Sequence, residues 1–151
     1  MRWPLPVLVV FLLLIGLVPP VCAGDGSRIG YISFGEARIQ LQDGNARVEV
    51  DYALDPGMPL LIVLFGSGDL QKKVERSLNF PSMKAEEVGL TRAVFTVNDA
   101  SENYGDRAYW FPAHTFGVTF PQVTVKAPGY SMVYQKLRAI PKGFGYFGDA
   151  P

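Results

Sequence analysis

The chain has 151 residues, with 14 Lys and Arg against 14 Asp and Glu, 48% hydrophobic and 13% aromatic, the make-up of one folded domain rather than of a disordered chain. Zero net charge and the lack of any Lys/Arg cluster remove the electrostatic footprint of a nucleic-acid binder. The charged fraction, 19%, is below the roughly 25% of an average soluble protein, and mean hydropathy is +0.15, so part of the chain is expected to sit in or cross a membrane.

That part is the N-terminus. Met1 and Arg2 precede an apolar run from Leu5 to Val18, broken only by Pro6 and Gly16, which ends in Pro19, Pro20, Val21, Cys22 and Ala23. A short positive start, an apolar core of about 7 to 15 residues and small residues before a cleavage point are the layout of a secretory signal. The expectation is a signal peptide over 1–23, with Gly24 as the first mature residue and a single extracytoplasmic domain over 24–151. The alternative is an uncleaved N-terminal membrane anchor, since no charge falls between Trp3 and Ala23; Pro19 and Pro20 disfavour a full helical span. Cys22 does not stand in a lipobox, because Val21 and not a small residue precedes it. It is the single cysteine, so a mature chain beginning at Gly24 holds no disulfide, thiolate metal site or cysteine nucleophile, and its core alone must stabilise it.

Beyond residue 24 the dominant signal is alternation of period two, interrupted by Gly, Pro, Asn and Asp. Ile39 and Leu41 alternate with Arg38, Gln40 and Gln42; Asp43-Gly44-Asn45 makes a turn; Val48, Val50, Tyr52 and Leu54 then alternate with Arg47, Glu49 and Asp51, which predicts a hairpin. Leu60 to Phe65 is apolar throughout and reads as a strand covered on both faces. A helix follows, with Leu70, Val74 and Leu78 at spacings of four, Asp69 placed as its N-cap and its end near Asn79. Further strands are expected at Thr91 to Asn98, Thr115 to Phe120, Gln122 to Lys126 and Ser131 to Ala139, punctuated by Pro121, Pro128 and Pro141. The segment Gly143 to Gly148 interleaves glycine with aromatics and reads as a last strand or frayed end, or else as a docking tail. About seven strands with one helix give a mostly β fold, an antiparallel β-sandwich with one inserted helix, for which an immunoglobulin-like arrangement is a candidate. An α+β arrangement, the helix packed on an antiparallel sheet, is the alternative.

Three groups of residues qualify as sites. Gly66-Ser67-Gly68-Asp69 lies between an expected strand and a helix, the context of a nucleophilic serine, and Asp99 or Asp106 and the single histidine, His114, follow in the order of a triad. The elbow pattern is incomplete, however, because Phe65 stands two residues before Ser67. A turn that caps a helix needs no catalytic explanation. Asp99, Ser101, Asn103 and Asp106 place oxygens in the manner of a calcium loop, but Tyr104 stands where that loop requires glycine, and polar turns between strands have the same composition. Tyr109, Trp110, Phe111 and His114 form an aromatic run. Neighbouring side chains on a strand point to opposite faces, so at least one faces outward, where it suits a protein partner or a sugar ring. His114 has no second histidine for a zinc site.

Walker, Rossmann and zinc-protease signatures and paired cysteines are absent from the sequence. These readings converge on a non-enzymatic, secreted or extracytoplasmic binding domain at the cell surface or in an envelope assembly, with a protein as the expected partner and without a required cofactor. A ligand-binding module for glycan or calcium is the second reading, and a small serine hydrolase using Ser67 and His114 the third. Membrane contact is expected only through an uncleaved N-terminal segment.

Overall fold

The computed structural model describes residues 26–149; the expected signal peptide, its cleavage point and the anchor alternative lie outside the described residues. The fold is mostly β. The hairpin forms as expected, β2 (Ile32–Gln42) pairing with β3 (Asn45–Leu54) around Asp43-Gly44, after a two-residue strand β1 (Arg28–Ile29). Two helices follow, α1 (Met58–Phe65) and α2 (Gly68–Leu78). The chain then forms β4 (Met83–Val88), β5 (Arg92–Val97), β6 (Glu102–Asn103), β7 (Ala108–Phe111), β8 (His114–Ala127), β9 (Tyr130–Ile140) and β10 (Phe144–Phe147).

The main sheet has the order β4-β5-β3-β2-β8-β9, with β1 also on β2, and a second sheet of three strands has the order β10-β7-β6. Pairing is antiparallel except at the centre, where β2 and β8 run parallel in the register Ala37 to Val123 and Ile39 to Val125. One face of the main sheet is the core, with Ile32, Phe34, Ile39, Val48, Val50, Phe95, Phe120 and Val123 buried. Two things cover it. Leu70, Val74 and Leu78 of α2 are buried against it, and the second sheet adds Phe111 and Tyr146. The architecture is therefore sheet on sheet with a helical insertion after the third strand.

The opposite face is polar. Arg38 stands at its centre, 3.3 Å from Glu36, 2.6 Å from Glu49 and 2.8 Å from Asp51. Arg92 bridges Glu49 and Glu87, and Arg47 meets Glu86. Glu36 also accepts hydrogen bonds from Gln122 and Thr124; the Thr124 bond is the largest influence holding its carboxyl below the usual range. Opposite charges on neighbouring strands support the sheet and keep this face in water.

Four local expectations are corrected. Leu60 to Phe65 is a helix and not a buried strand: Gly57 (φ 88) and Gly66 (φ 93) bracket it at positive φ, which glycine adopts freely, and a proline stands at its first turn. A fully apolar run carries no period to separate the two forms, and Pro59 favours a helix start. None of its residues is buried. Asp69 does not cap α2, whose N-cap is Ser67 without a side-chain bond; instead it accepts the Tyr31 hydroxyl at 2.8 Å and pairs with Lys73. Thr115 to Phe120 and Gln122 to Lys126 are one strand, β8, running through Pro121. That proline precedes the first β2–β8 pair, Glu36 with Gln122, so its missing N–H interrupts no bond there. Finally, β4 was not expected, since Met83-Lys84-Ala85-Glu86-Glu87-Val88 is poor in β-branched residues; pairing with β5 holds it.

Candidate interaction surfaces

The aromatic run divides as strand alternation requires. On β7, Phe111 is 1% exposed and faces the core, and Tyr109 stacks on Tyr146 with ring centroids 5.5 Å apart. Trp110 between them is 42% exposed. Its cross-strand partners are Gly145 on β10 and Glu102 on β6. A Cβ at Gly143 would lie 2.6 Å from the Trp110 Nε1, so the indole rests on backbone that only glycine leaves open. Two more exposed aromatics lie on this sheet and its adjoining loop: Phe147 and Tyr104, whose hydroxyl donates to the Glu102 carboxylate at 2.8 Å.

His114 is removed from this surface. It stacks flat on Phe80 at 3.9 Å and meets Phe116 edge to face, with Nε2 2.8 Å from the Leu78 carbonyl oxygen. Burial, partly opposed by that hydrogen bond, pushes its pKa below 6.5. The neutral ring donates Nε2–H to one of the carbonyls that the last turn of a helix leaves without a partner, while Asn79, in the left-handed conformation, donates to the Thr115 carbonyl beside it. His114 thus fastens the C-terminal end of α2 to β8. Ser67 stands at the other end of that helix, and eleven residues at 1.5 Å each separate the two ends by about 16 Å. The geometry does not assemble a serine–histidine pair, which requires hydrogen-bond contact.

The polar loop does not gather its oxygens around a common point. Ser101 is buried, its Oγ accepting the Tyr146 hydroxyl at 3.0 Å and its backbone N–H donating to the Gly44 carbonyl. Asn103 Oδ1 accepts the Gly105 N–H. Asp99 and Asp106 are exposed turn residues with φ of 52° and 47°. Among the described residues no group of three His, Cys, Asp or Glu side chains is placed to hold a metal ion. Of the alternating oxygens that suggested a cation shell, Ser101 ties the loop to the second sheet and Asn103 closes the turn that follows it.

The segment from Gly143 to Gly148, expected as a last strand, frayed end or docking tail, forms β10 and pairs with β7 beside Trp110, a pairing that the spacing in sequence did not signal. Phe147 belongs to the same surface, and its signal was the alternation of Phe144, Gly145, Tyr146 and Phe147, in which Tyr146 is buried and Phe147 exposed. No protein-family model, no curated protein and no solved structure matches this chain.

Proposed function

We propose that this chain is a non-catalytic extracytoplasmic interaction domain, acting at the cell surface or in an envelope assembly, which holds a protein partner on the outer face of its second sheet. The observation that carries this reading is Trp110, exposed between two inward-facing aromatics and seated on glycine backbone. A rigid aromatic loses little side-chain entropy on contact, and Trp and Tyr lead the residues that dominate interface energies. Tyr104 and Phe147 extend the apolar area, and Glu102 sets a carboxylate beside the ring.

The test replaces Trp110 by Ala and captures partners from native cells by cross-linking. Binding is expected to fall by about 2 kcal/mol or more, as at an interface anchor, while the domain stays folded. A collapsed thermal transition with partner capture unchanged in the folded fraction overturns the reading. Glu102 opposite Trp110 favours glycan as the second reading, because a sugar ring stacks on an indole while a carboxylate accepts its hydroxyls. Saturable quenching of Trp110 fluorescence by a soluble oligosaccharide supports that alternative, and unchanged fluorescence removes it.

A further inference from the structure

The helix α1 leaves most of its apolar side chains uncovered. Leu60, Leu61, Val63, Leu64 and Phe65 are all exposed, Val63 at 72% and Phe65 at 83%, and Ile62 packs against the core from the other side. From Pro56 to Gly68 no residue is charged. A Cβ built at Gly57 or Gly66, which flank the helix, would meet nothing within 4 Å, so open space lies beside both of its ends. We propose that α1 inserts into the interfacial region of a phospholipid membrane with anionic headgroups, as a short apolar finger.

The shape of the apolar surface selects lipid over a protein groove. At 100° per residue the five exposed side chains cover an arc of about 200°, whereas a helix seated in a groove presents a stripe near 100° wide with a polar remainder. Lipid surrounds a finger on all its free sides. Eight residues make a helix of about 12 Å, too short to cross a hydrocarbon core of about 30 Å and suited to the roughly 5–10 Å depth of interfacial insertion. No described helix is long and apolar enough to span a membrane.

The charges beside α1 agree. Asp55, before it, is paired with Arg28 at 2.5 Å, and Asp69, after it, with Lys73. The outward side of α2, which follows directly, carries Lys72 in its second turn and Arg76 in its last, both exposed, so a positive stripe runs along the helix that follows the finger, where anionic headgroups would meet it. Arg28 holds Asp55, whose N–H donates to the Tyr31 carbonyl, and the Asp55 carbonyl in turn accepts the Met58 N–H that begins α1. Trp110 belongs to another part of the molecule. α1 follows the C-terminal end of β3, the second sheet packs near Gly44 before its N-terminal end, and ten residues of strand span about 30 Å. The two surfaces stand or fall independently.

The test places an environment-sensitive fluorophore on Phe65→Cys in the full chain carrying Cys22→Ser, with Tyr104→Cys as the control at the far end. Vesicles of phosphatidylcholine and phosphatidylglycerol are expected to shift the emission at 65 to the blue and raise its intensity several-fold, with no change at 104. The double variant Lys72→Glu, Arg76→Glu is expected to need several-fold more lipid for half the shift. An emission at 65 that does not respond to vesicles overturns the proposal. So does an emission already blue-shifted before vesicles are added, since α1 is then covered by another part of the chain or, where the shift grows with protein concentration, by a second copy. Equal shifts at 65 and 104 also overturn it, as general adsorption.

Discussion

Gly117 fixes how closely α2 approaches the main sheet. A Cβ at this position would lie 2.2 Å from the Arg76 carbonyl oxygen and 3.1 Å from its carbonyl carbon. These are backbone atoms of the helix and cannot rotate away. Gly117 does not have positive φ, so Gly117→Ala acts through this contact and not through backbone strain. To restore an ordinary carbon–oxygen separation, α2 must lift by about 1 Å, which separates Leu70, Val74 and Leu78, all 0–1% exposed, from the strands they cover. Overpacking of this kind costs about 1–3 kcal/mol and occasionally more, and with a helix displaced the upper end applies. For a domain of this size about 3 kcal/mol lowers the thermal midpoint by roughly 10 °C. The control is Gly68→Ala, at the first turn of the same helix, where a Cβ meets nothing within 4 Å; it should be neutral or raise stability by about 0.5 kcal/mol. Both are read by circular-dichroism melts. A Gly117→Ala midpoint within 1–2 °C of wild type, well inside the spread of a single kcal/mol, would refute the close seating of α2.

Three further outcomes follow from the polar contacts. His114 is held neutral by burial with its pKa below 6.5, so below pH 6.5 the unfolded chain takes up a proton that the folded state resists. Stability is therefore full above pH 6.5 and falls as pH drops from there through the lower folded-state pKa, a window above the one in which Glu36 titrates; denaturant midpoints of wild type and His114→Gln across pH 7 to 5 should converge at the acid end, and parallel curves would count against the assignment. Arg38→Ala removes the cation shared by Glu36, Glu49 and Asp51 and should cost about 1 kcal/mol, given its partial exposure, with the difference from wild type shrinking in high salt; a salt-independent loss would point to packing instead. Added calcium should leave the melting temperature of wild type and Asp99→Asn unchanged, because Ser101 and Asn103 are engaged within the protein; a rise in wild type that the variant lacks would show a site.

The parts of this fold that could be read in advance are those whose side-chain period matches one backbone form. β2 and β3 alternate cleanly around Asp43-Gly44, and α2 repeats Leu70, Val74 and Leu78, so element and buried face followed together. Alternation at Tyr109-Trp110-Phe111 likewise required one outward aromatic, and Trp110 is the one. What was not legible has physical reasons. Leu60 to Phe65 has no polar residue to mark a face, so neither its helical form nor its exposure could be read. β4 is held by partner pairing and not by its own propensity, and Pro121 is harmless only because of where the β2 ladder begins. Ser67 and His114 follow each other in a suggestive order, yet they sit at opposite ends of one helix, a separation no spacing in sequence reveals.

The central claim is that the outer face of the second sheet holds a protein partner. A photo-reactive amino acid at Phe147, 71% exposed on that face, and another at Val133, 57% exposed on β9, would be irradiated in native cells and the adducts identified by mass spectrometry. One recurrent protein adduct is expected at 147, absent at 133 and lost in Trp110→Ala. No adduct at 147, or the same adducts at both positions, would contradict it.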